Sequence, residues 1–244
     1  MIYGKGLRAL SIATALVLTG ASVLIFFYAP LDADQGVIQK IFYVHVPLAI
    51  VALFGFVAGG VLAIKQLRSG RAEDDMRSYV AIHLSLIFAT AALITGSIWA
   101  KASWGHWWTW DEPVLVSFLI VFLLYCCYQP LRFAIEDPER QARYASVFAI
   151  AAGAFVPINF MAVRMATAHV HPRVLSKTTG GMPSEMFLTF LVSIAGVGLL
   201  WLTMWKLEMT SKNASIKLKR LRRRLEEKPA ADSSQPAAEP ALAP

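Results

Sequence analysis

Trp104-Gly105-His106-Trp107-Trp108-Thr109-Trp110-Asp111 is the stretch around which the rest of the chain is organised. It holds four of the seven tryptophans and lies between two long apolar runs. Tryptophan favours the boundary between hydrocarbon and water, because its ring is apolar while its N–H needs a polar partner. The stretch therefore predicts an aromatic platform at a membrane surface, in a connection between two spans.

The composition indicates a membrane protein. Of 244 residues, 57% are hydrophobic and 16% are charged, and the mean hydropathy is +0.53. Soluble proteins contain about 45–50% apolar and about 25% charged residues. Six apolar runs reach or approach the roughly 20 residues that a membrane-spanning helix needs: 8–29, 41–65, 79–99, 114–130, 145–165 and 186–206. We expect an all-α polytopic membrane protein with six transmembrane helices within residues 1–210, the first run being a retained span.

The distribution of lysine and arginine predicts the orientation. These residues are abundant at the N-terminal tip, in the second and fourth connections and in the C-terminal tail, and sparser in the other connections. Because cytoplasmic loops carry the excess of positive charge, both termini are predicted to be cytoplasmic, with the tryptophan-rich loop near residues 100–113 in the periplasm. Residues 211–244 are expected to form a cytoplasmic tail. A short basic surface helix is predicted at 216–225, followed by disorder after Pro229.

Most of the histidines are predicted to share the outer face with the tryptophan stretch. His45 begins the second span, His106 lies in the stretch, and His169 and His171 lie in the fifth connection, whereas His83 falls inside the third span. Two imidazoles, one from a helix end and one from a connection, can ligate a haem iron from opposite faces. A zinc site needs about four ligands, and both cysteines are adjacent within an apolar run. An aromatic platform also suits a large flat macrocycle, so haem is the favoured ligand.

The charged residues near the predicted outer face supply candidate contacts to such a ligand. Haem propionates are anionic and pair with cations, and the candidates are Lys101, Arg164 and Arg173. Asp111 is expected to accept hydrogen bonds within its loop. The sequence lacks a C-x-x-C-H motif for covalent haem attachment, a nucleophile–base pair and a phosphate-binding loop. We therefore expect a haem-binding protein that is not an enzyme, and the basic tail favours contact with membrane lipid rather than nucleic acid.

The motif Trp-Gly-x-Trp-Trp-x-Trp-Asp, together with Tyr43-Val44-His45-Val46-Pro47 at the start of the second span, resembles a known family. Over roughly residues 8–206 the sequence is similar to the tryptophan-rich (WWD) haem-handling proteins of cytochrome c biogenesis. Within them it is most similar to the cytochrome c maturation haem-handling protein C (CcmC) family.

The resemblance implies a site, partners and a location. Haem b would bind transiently at the outer face of the bacterial inner membrane, with His45 as one axial ligand of the iron and His171 or His169 as the other. His171 is preferred because Pro172 follows it. The remaining cofactor-binding residues would be those of the signature: Trp104, Gly105, Trp107, Trp108, Trp110 and Asp111. Implied partners are a CcmE-like periplasmic haem chaperone that receives the haem, CcmA- and CcmB-like subunits of an ABC transporter complex, and a CcmD-like small membrane subunit.

The sequence departs from the family pattern at two places. The family continues after Trp-Asp with arginine, leucine and threonine, whereas this chain has Glu112-Pro113-Val114. Met165-Ala166 replaces the paired tryptophans that often precede the second histidine. Two alternative functions remain open: the membrane component of a cytochrome c haem lyase, and the permease subunit of a haem exporter. Such lyases are usually larger, and the spans here offer few polar residues for a solute path.

Overall fold

The computed structural model describes residues 6–167, 170–171 and 182–232. Within these ranges the chain is helical and contains no β-strand, and its six long helices are α1 Leu7–Val23, α2 Phe42–Ser69, α3 Ala72–Trp104, α4 Pro113–Phe133, α5 Pro138–Met165 and α6 Ser184–Asp232. A π-helical turn, Leu24–Tyr28, extends α1, and a 3-10 turn, Val37–Ile41, leads into α2. All six helices are long and apolar enough to cross a membrane. The predicted six-span, all-α architecture is therefore confirmed.

Local sequence signals place the ends of the helices around the tryptophan stretch. Gly105 follows α3 with a φ of 77°, in the left-handed region that glycine adopts without steric cost, and its N–H donates to the Lys101 carbonyl. Pro113 occupies the first turn of α4, where its missing N–H costs nothing. The connection therefore comprises residues 105–112. Trp104 differs from the prediction of a loop residue, because it is the last residue of α3.

Helix α2 lies at the centre of the bundle and packs closely on α3 and α5. Small residues permit this approach: a Cβ on Gly60 would lie 3.0 Å from the Ala149 carbonyl oxygen of α5. The Ser78 hydroxyl of α3 donates to the Gly59 carbonyl at 2.8 Å. Such contacts between small residues hold helices together in lipid, where the hydrophobic effect between helices is absent. One turn earlier in α2, Phe56 stacks on Tyr125 of α4, with ring centroids 3.8 Å apart.

Buried ion pairs stabilise the start of α3, the end of the helix that lies opposite to Trp104. The Asp74 carboxylate is fully buried and lies within 4 Å of Lys65, Arg71 and Arg77. One residue on, Asp75 receives two hydrogen bonds from the Arg132 guanidinium of α4. Buried charges are tolerated when they are paired and hydrogen-bonded in this way. The pairs connect the start of α3 to the end of α2 and to α4.

Helix α6 is continuous from its apolar span into the basic segment. It runs past the predicted end of the sixth span at residue 206, and the separate surface helix expected at 216–225 is the continuation of α6. The chain has no glycine or proline between Gly198 and Pro229, so no local signal interrupts the helix. The expected boundary at residue 210 lies within α6, and residues 233–244 lie outside the described part of the chain.

Candidate functional site

A cavity of about 260 Å³ opens beside the tryptophan-rich loop, between α2, α3, α4 and α5. Its walls are largely apolar side chains of these four helices. Both His45 and His171 line it, and so do three residues of the tryptophan stretch: Trp104, Trp107 and Trp108. Concave, mostly apolar cavities with a few polar groups are the usual form of small-molecule sites in proteins. The structure thus brings together residues separated by more than a hundred positions in the sequence.

His45 is held in one orientation by α3. It lies in the first turn of α2, and its Nδ1 is 3.0 Å from the Ala92 carbonyl and 3.3 Å from the Thr95 hydroxyl. Because a carbonyl only accepts, this geometry assigns the proton to Nδ1 and leaves Nε2 with a lone pair. A hydrogen bond from the distal ring nitrogen is also the usual way in which a metal-binding histidine is oriented. His45 is therefore prepared to act as a neutral nitrogen ligand.

The absence of a side chain at Gly96 makes room for the His45 ring. A Cβ at this position would lie 2.6 Å from His45 Cε1 and 3.2 Å from Nδ1. Both Gly96 and His45 line the cavity. The His45 ring thus occupies a recess on α3. A larger residue at position 96 would displace the ring.

A second residue of α3 also contacts the His45 ring. Trp99 of α3 meets it edge to face, with centroids 5.9 Å apart. The Trp99 indole N–H donates to Gln35 Oε1 at 2.8 Å, and the Ser103 hydroxyl lies 3.3 Å from the same oxygen. Gln35 belongs to the first connection and also lines the cavity. Nothing in the sequence marks Gln35, because a polar residue in a connection is ordinary until folding brings it to α3.

The tryptophan-rich loop contributes both apolar surface and an indole donor. Trp108 packs edge to face with Trp110 at 5.9 Å. Among the described residues, the buried Nε1 of Trp108 has no hydrogen-bond partner. A buried donor of this kind normally finds an acceptor, so the cavity offers an unused N–H to a ligand. Gly105, Trp110 and Asp111 lie in the same loop and do not contribute to the described lining of the cavity.

The three predicted propionate partners lie in different settings. Lys101 donates to the Gly105 carbonyl at 2.8 Å and so closes the end of α3. Arg164 lines the cavity, with its guanidinium 5.1 Å from the centroid of the Phe160 ring. Arg173 lies outside the described residues. Of the two cations that the structure describes, Arg164 is thus the one at the cavity.

The fifth connection is joined to the tryptophan-rich loop through Glu112. Its fully buried carboxylate accepts from the backbone N–H of Val170 at 2.8 Å and of His171 at 3.2 Å. The His171 ring meets Trp104 edge to face, with centroids 6.3 Å apart. His169, the other predicted second ligand, lies outside the described residues, as does Pro172. The hydrogen bonds that Glu112 accepts were not predicted from the sequence, because they depend on the approach of two distant connections.

The donor set fits an axially ligated haem better than zinc. No group of three or more His, Cys, Asp or Glu side chains with metal-binding geometry occurs in the part of the chain that the structure describes. Zinc commonly takes about four such ligands, whereas a haem iron needs only axial ones. Two other described histidines, His83 and His106, do not line the cavity. His83 accepts from Gln129 at 3.3 Å, and the exposed His106 donates to the Trp104 carbonyl at 2.8 Å.

Comparison with known proteins adds an independent finding. The family model "Heme exporter protein C" matches residues 1–226. Heme exporter protein C of Rhodobacter capsulatus is 32% identical over 214 residues, which cover 87% of this chain and 88% of the relative. That of Paracoccus denitrificans is 30% identical over 195 residues, or 79% and 80% of the two chains. That of Escherichia coli K12 is 32% identical over 157 residues, or 64% of each.

Proposed function

The chain belongs to the Heme exporter protein C family, and from that premise we propose that it is a haem relay of cytochrome c biogenesis. It is a multi-pass membrane protein of the inner membrane. In this proposal it binds haem b transiently at the outer face and delivers it to a periplasmic haem chaperone. It works there with ABC transporter subunits and a small membrane subunit, and it catalyses no reaction of its own. Residues 1–210 carry the haem-handling unit, and the basic tail lies in the cytoplasm.

The observation that carries this proposal is the shared cavity of His45 and His171. The two imidazoles come from α2 and from the fifth connection, and the apolar lining of the same cavity includes Trp104, Trp107 and Trp108. Haem supplies an iron that accepts two axial nitrogen ligands, and the two imidazoles match that requirement. The indole N–H of Trp108 and the guanidinium of Arg164 are the polar groups that suit the propionates.

The proposed orientation, with both termini in the cytoplasm, is supported by the distribution of charge along the bundle. The cluster of Lys65, Arg71 and Arg77 around Asp74 lies at the end of α2 and α3 that is opposite to Trp104. Positive charge favours the cytoplasmic side of membrane proteins. This arrangement supports the proposal that the haem cavity faces the periplasm, where a haem chaperone can reach it.

Exposed aromatic surface beside the cavity supports a hand-over partner. The side chains of Trp107 and Trp110 are 59% and 74% exposed. Large exposed apolar side chains that cluster next to a site mark contact surfaces for a partner or for lipid headgroups.

The two proposed axial ligands differ in their settings, because His45 lies within a helix whereas His171 lies on a connection. We therefore assign His171 as the ligand that is withdrawn when haem leaves.

A haem titration of the purified, full-length protein in detergent tests the ligand assignment. The wild type should give the absorption and electron paramagnetic resonance spectra of six-coordinate, low-spin haem. His45→Ala and His171→Ala should each lose that signature and bind haem more weakly, because each removes one axial nitrogen. Matched controls are His83→Ala and His106→Ala, which remove histidines outside the cavity and should leave the spectra unchanged. Wild-type spectra in both His45→Ala and His171→Ala would refute the assignment.

Transfer is tested separately from binding. The haem-loaded protein is mixed with the purified periplasmic chaperone in apo form, and covalent haem on the chaperone is followed by haem staining after denaturing electrophoresis. The proposal expects haem to appear on the chaperone with wild-type donor and to decline with His45→Ala. No transfer from a donor with an intact six-coordinate spectrum, even with the ABC transporter and small subunits present, would contradict the relay and favour the haem-lyase or permease alternatives.

A further inference from the structure

We infer that Glu112 is the positioning residue of the haem site, which holds His171 at the cavity by binding the backbone of the fifth connection. The inference rests on the proposed function, since it assigns a role to the attachment of one proposed ligand. In this role Glu112 acts through the backbone of His171.

Glu112 accepts a pair of hydrogen bonds from the fifth connection. One carboxylate oxygen, Oε2, accepts from the N–H groups of both Val170 and His171. Glu112 is fully buried, and a buried carboxylate must be hydrogen-bonded to remain charged. The bonds end at the very residue whose ring lines the cavity. Loss of these bonds frees the backbone of the proposed ligand rather than a remote part of the loop.

The Glu112 side chain does not cap its own helix. Glu112 is the N-cap residue of α4, a position from which a short acidic side chain commonly accepts from its own helix. The Glu112 side chain makes no such capping bond. The helix begins with Pro113, and the Val116 N–H bonds to the Glu112 backbone carbonyl at 3.2 Å. The carboxylate is therefore directed to the fifth connection instead of to α4.

The hydrogen bonds to Glu112 join the tryptophan-rich loop to the fifth connection, and both of these segments contribute to the site. Glu112 ends the tryptophan-rich loop and follows Asp111 directly. The His171 ring in turn packs on Trp104, at the other end of that loop. This ring contact does not fix the direction of the peptide, whereas the hydrogen bonds to Glu112 supply a directional constraint.

The test separates the reach of the side chain from its charge. Glu112→Asp keeps the charge, and aspartate is a favoured N-cap residue, so α4 should fold as in the wild type. Its side chain is one methylene shorter and should lose the bonds to Val170 and His171. Glu112→Gln loses the charge but keeps the length and an oxygen acceptor. We expect Glu112→Gln to retain most of the six-coordinate, low-spin haem, and Glu112→Asp to shift to five-coordinate, high-spin haem with dissociation at least roughly tenfold faster.

Added imidazole provides a readout that a general folding defect would not give. In haem-loaded Glu112→Asp, free imidazole should restore the low-spin spectrum by occupying the vacated axial position. The wild type should not change. Glu185→Gln, which removes another acidic charge at the start of α6, is the matched control and should behave as the wild type.

The outcomes distinguish the inference from the proposed function. A wild type without six-coordinate haem would overturn the proposed function and the inference with it. A wild type with six-coordinate haem, together with Glu112→Asp that keeps the same spectrum and dissociation rate, would overturn the inference alone. A defect in Glu112→Gln with a normal Glu112→Asp would also overturn it, since charge at the start of α4 and not reach would then be the property that matters.

Discussion

Replacing Gly96 with alanine should displace the His45 ring and weaken haem binding. The added Cβ would lie 2.6 Å from His45 Cε1, whereas ordinary van der Waals contact begins at 3.4 Å. The ring or the helix must therefore move by about 0.8 Å, the difference between these distances. Movement of the ring is opposed by the hydrogen bond from Nδ1 to the Ala92 carbonyl, which is 3.0 Å long.

The magnitude of this effect follows from the cost of overpacking. Added methyl groups in a close-packed interior cost about 1–3 kcal/mol. At tenfold per ~1.4 kcal/mol, the dissociation constant of haem should rise roughly 5- to 150-fold if the strain is carried by the ligand site. The low-spin fraction should fall as well, since Nε2 moves together with the ring. Both quantities are measured by titrating the detergent-purified protein with haem.

The control for Gly96→Ala is Gly198→Ala. Gly198 lies in α6, and a Cβ there would meet nothing within 4 Å. That substitution should leave haem binding unchanged and stabilise its helix by ~0.5–1 kcal/mol. Wild-type affinity and a wild-type spectrum in Gly96→Ala would refute the argument, because they would show that His45 is not held against α3 when haem is bound.

Two further predictions concern the indole donor and the buried ion pair. Trp108→Phe keeps an aromatic ring but removes the unpartnered N–H. Haem affinity should fall by roughly 2- to 10-fold, which corresponds to the loss of one hydrogen bond. An unchanged haem titration would show that the N–H does not contact haem. Arg132→Met leaves the Asp75 carboxylate, whose side chain is 14% exposed, without its main partner. The protein should lose about 3–5 kcal/mol of stability, seen as a lower midpoint of thermal unfolding. The double variant Arg132→Met/Asp75→Leu should recover part of that loss, and failure to do so would argue against an unpaired charge as the cause.

The span prediction from hydropathy succeeded because crossing a bilayer depends on local properties. A helix needs only sufficient length and few charges, and all six predicted runs became helices. The ends were less accurate, because a helix continues past the hydrocarbon core until a residue stops it. Thus α3 continues to Trp104, where Gly105 terminates it, and α6 continues through its basic segment.

The sequence could single out only some residues of the candidate site, for a related reason. The tryptophan stretch and His45 are visible in the sequence because their residue types are unusual in those positions. Gly96, Gln35 and Glu112 are ordinary residue types in ordinary places. Their roles depend on which side chain lies within 4 Å after the helices have packed, and no local pattern carries that information.

The sequence by itself determined that this chain is a six-span membrane protein of the Heme exporter protein C family, because hydropathy and a compact aromatic motif are properties of contiguous residues. Only the tertiary structure decided which distant groups meet: His45 beside Gly96 on α3, and His171 attached to Glu112 at the cavity that both histidines line. The physical reason is range. Partition into a membrane is settled residue by residue along a helix, whereas hydrogen bonds and steric fit act over a few ångströms between segments that only folding brings together.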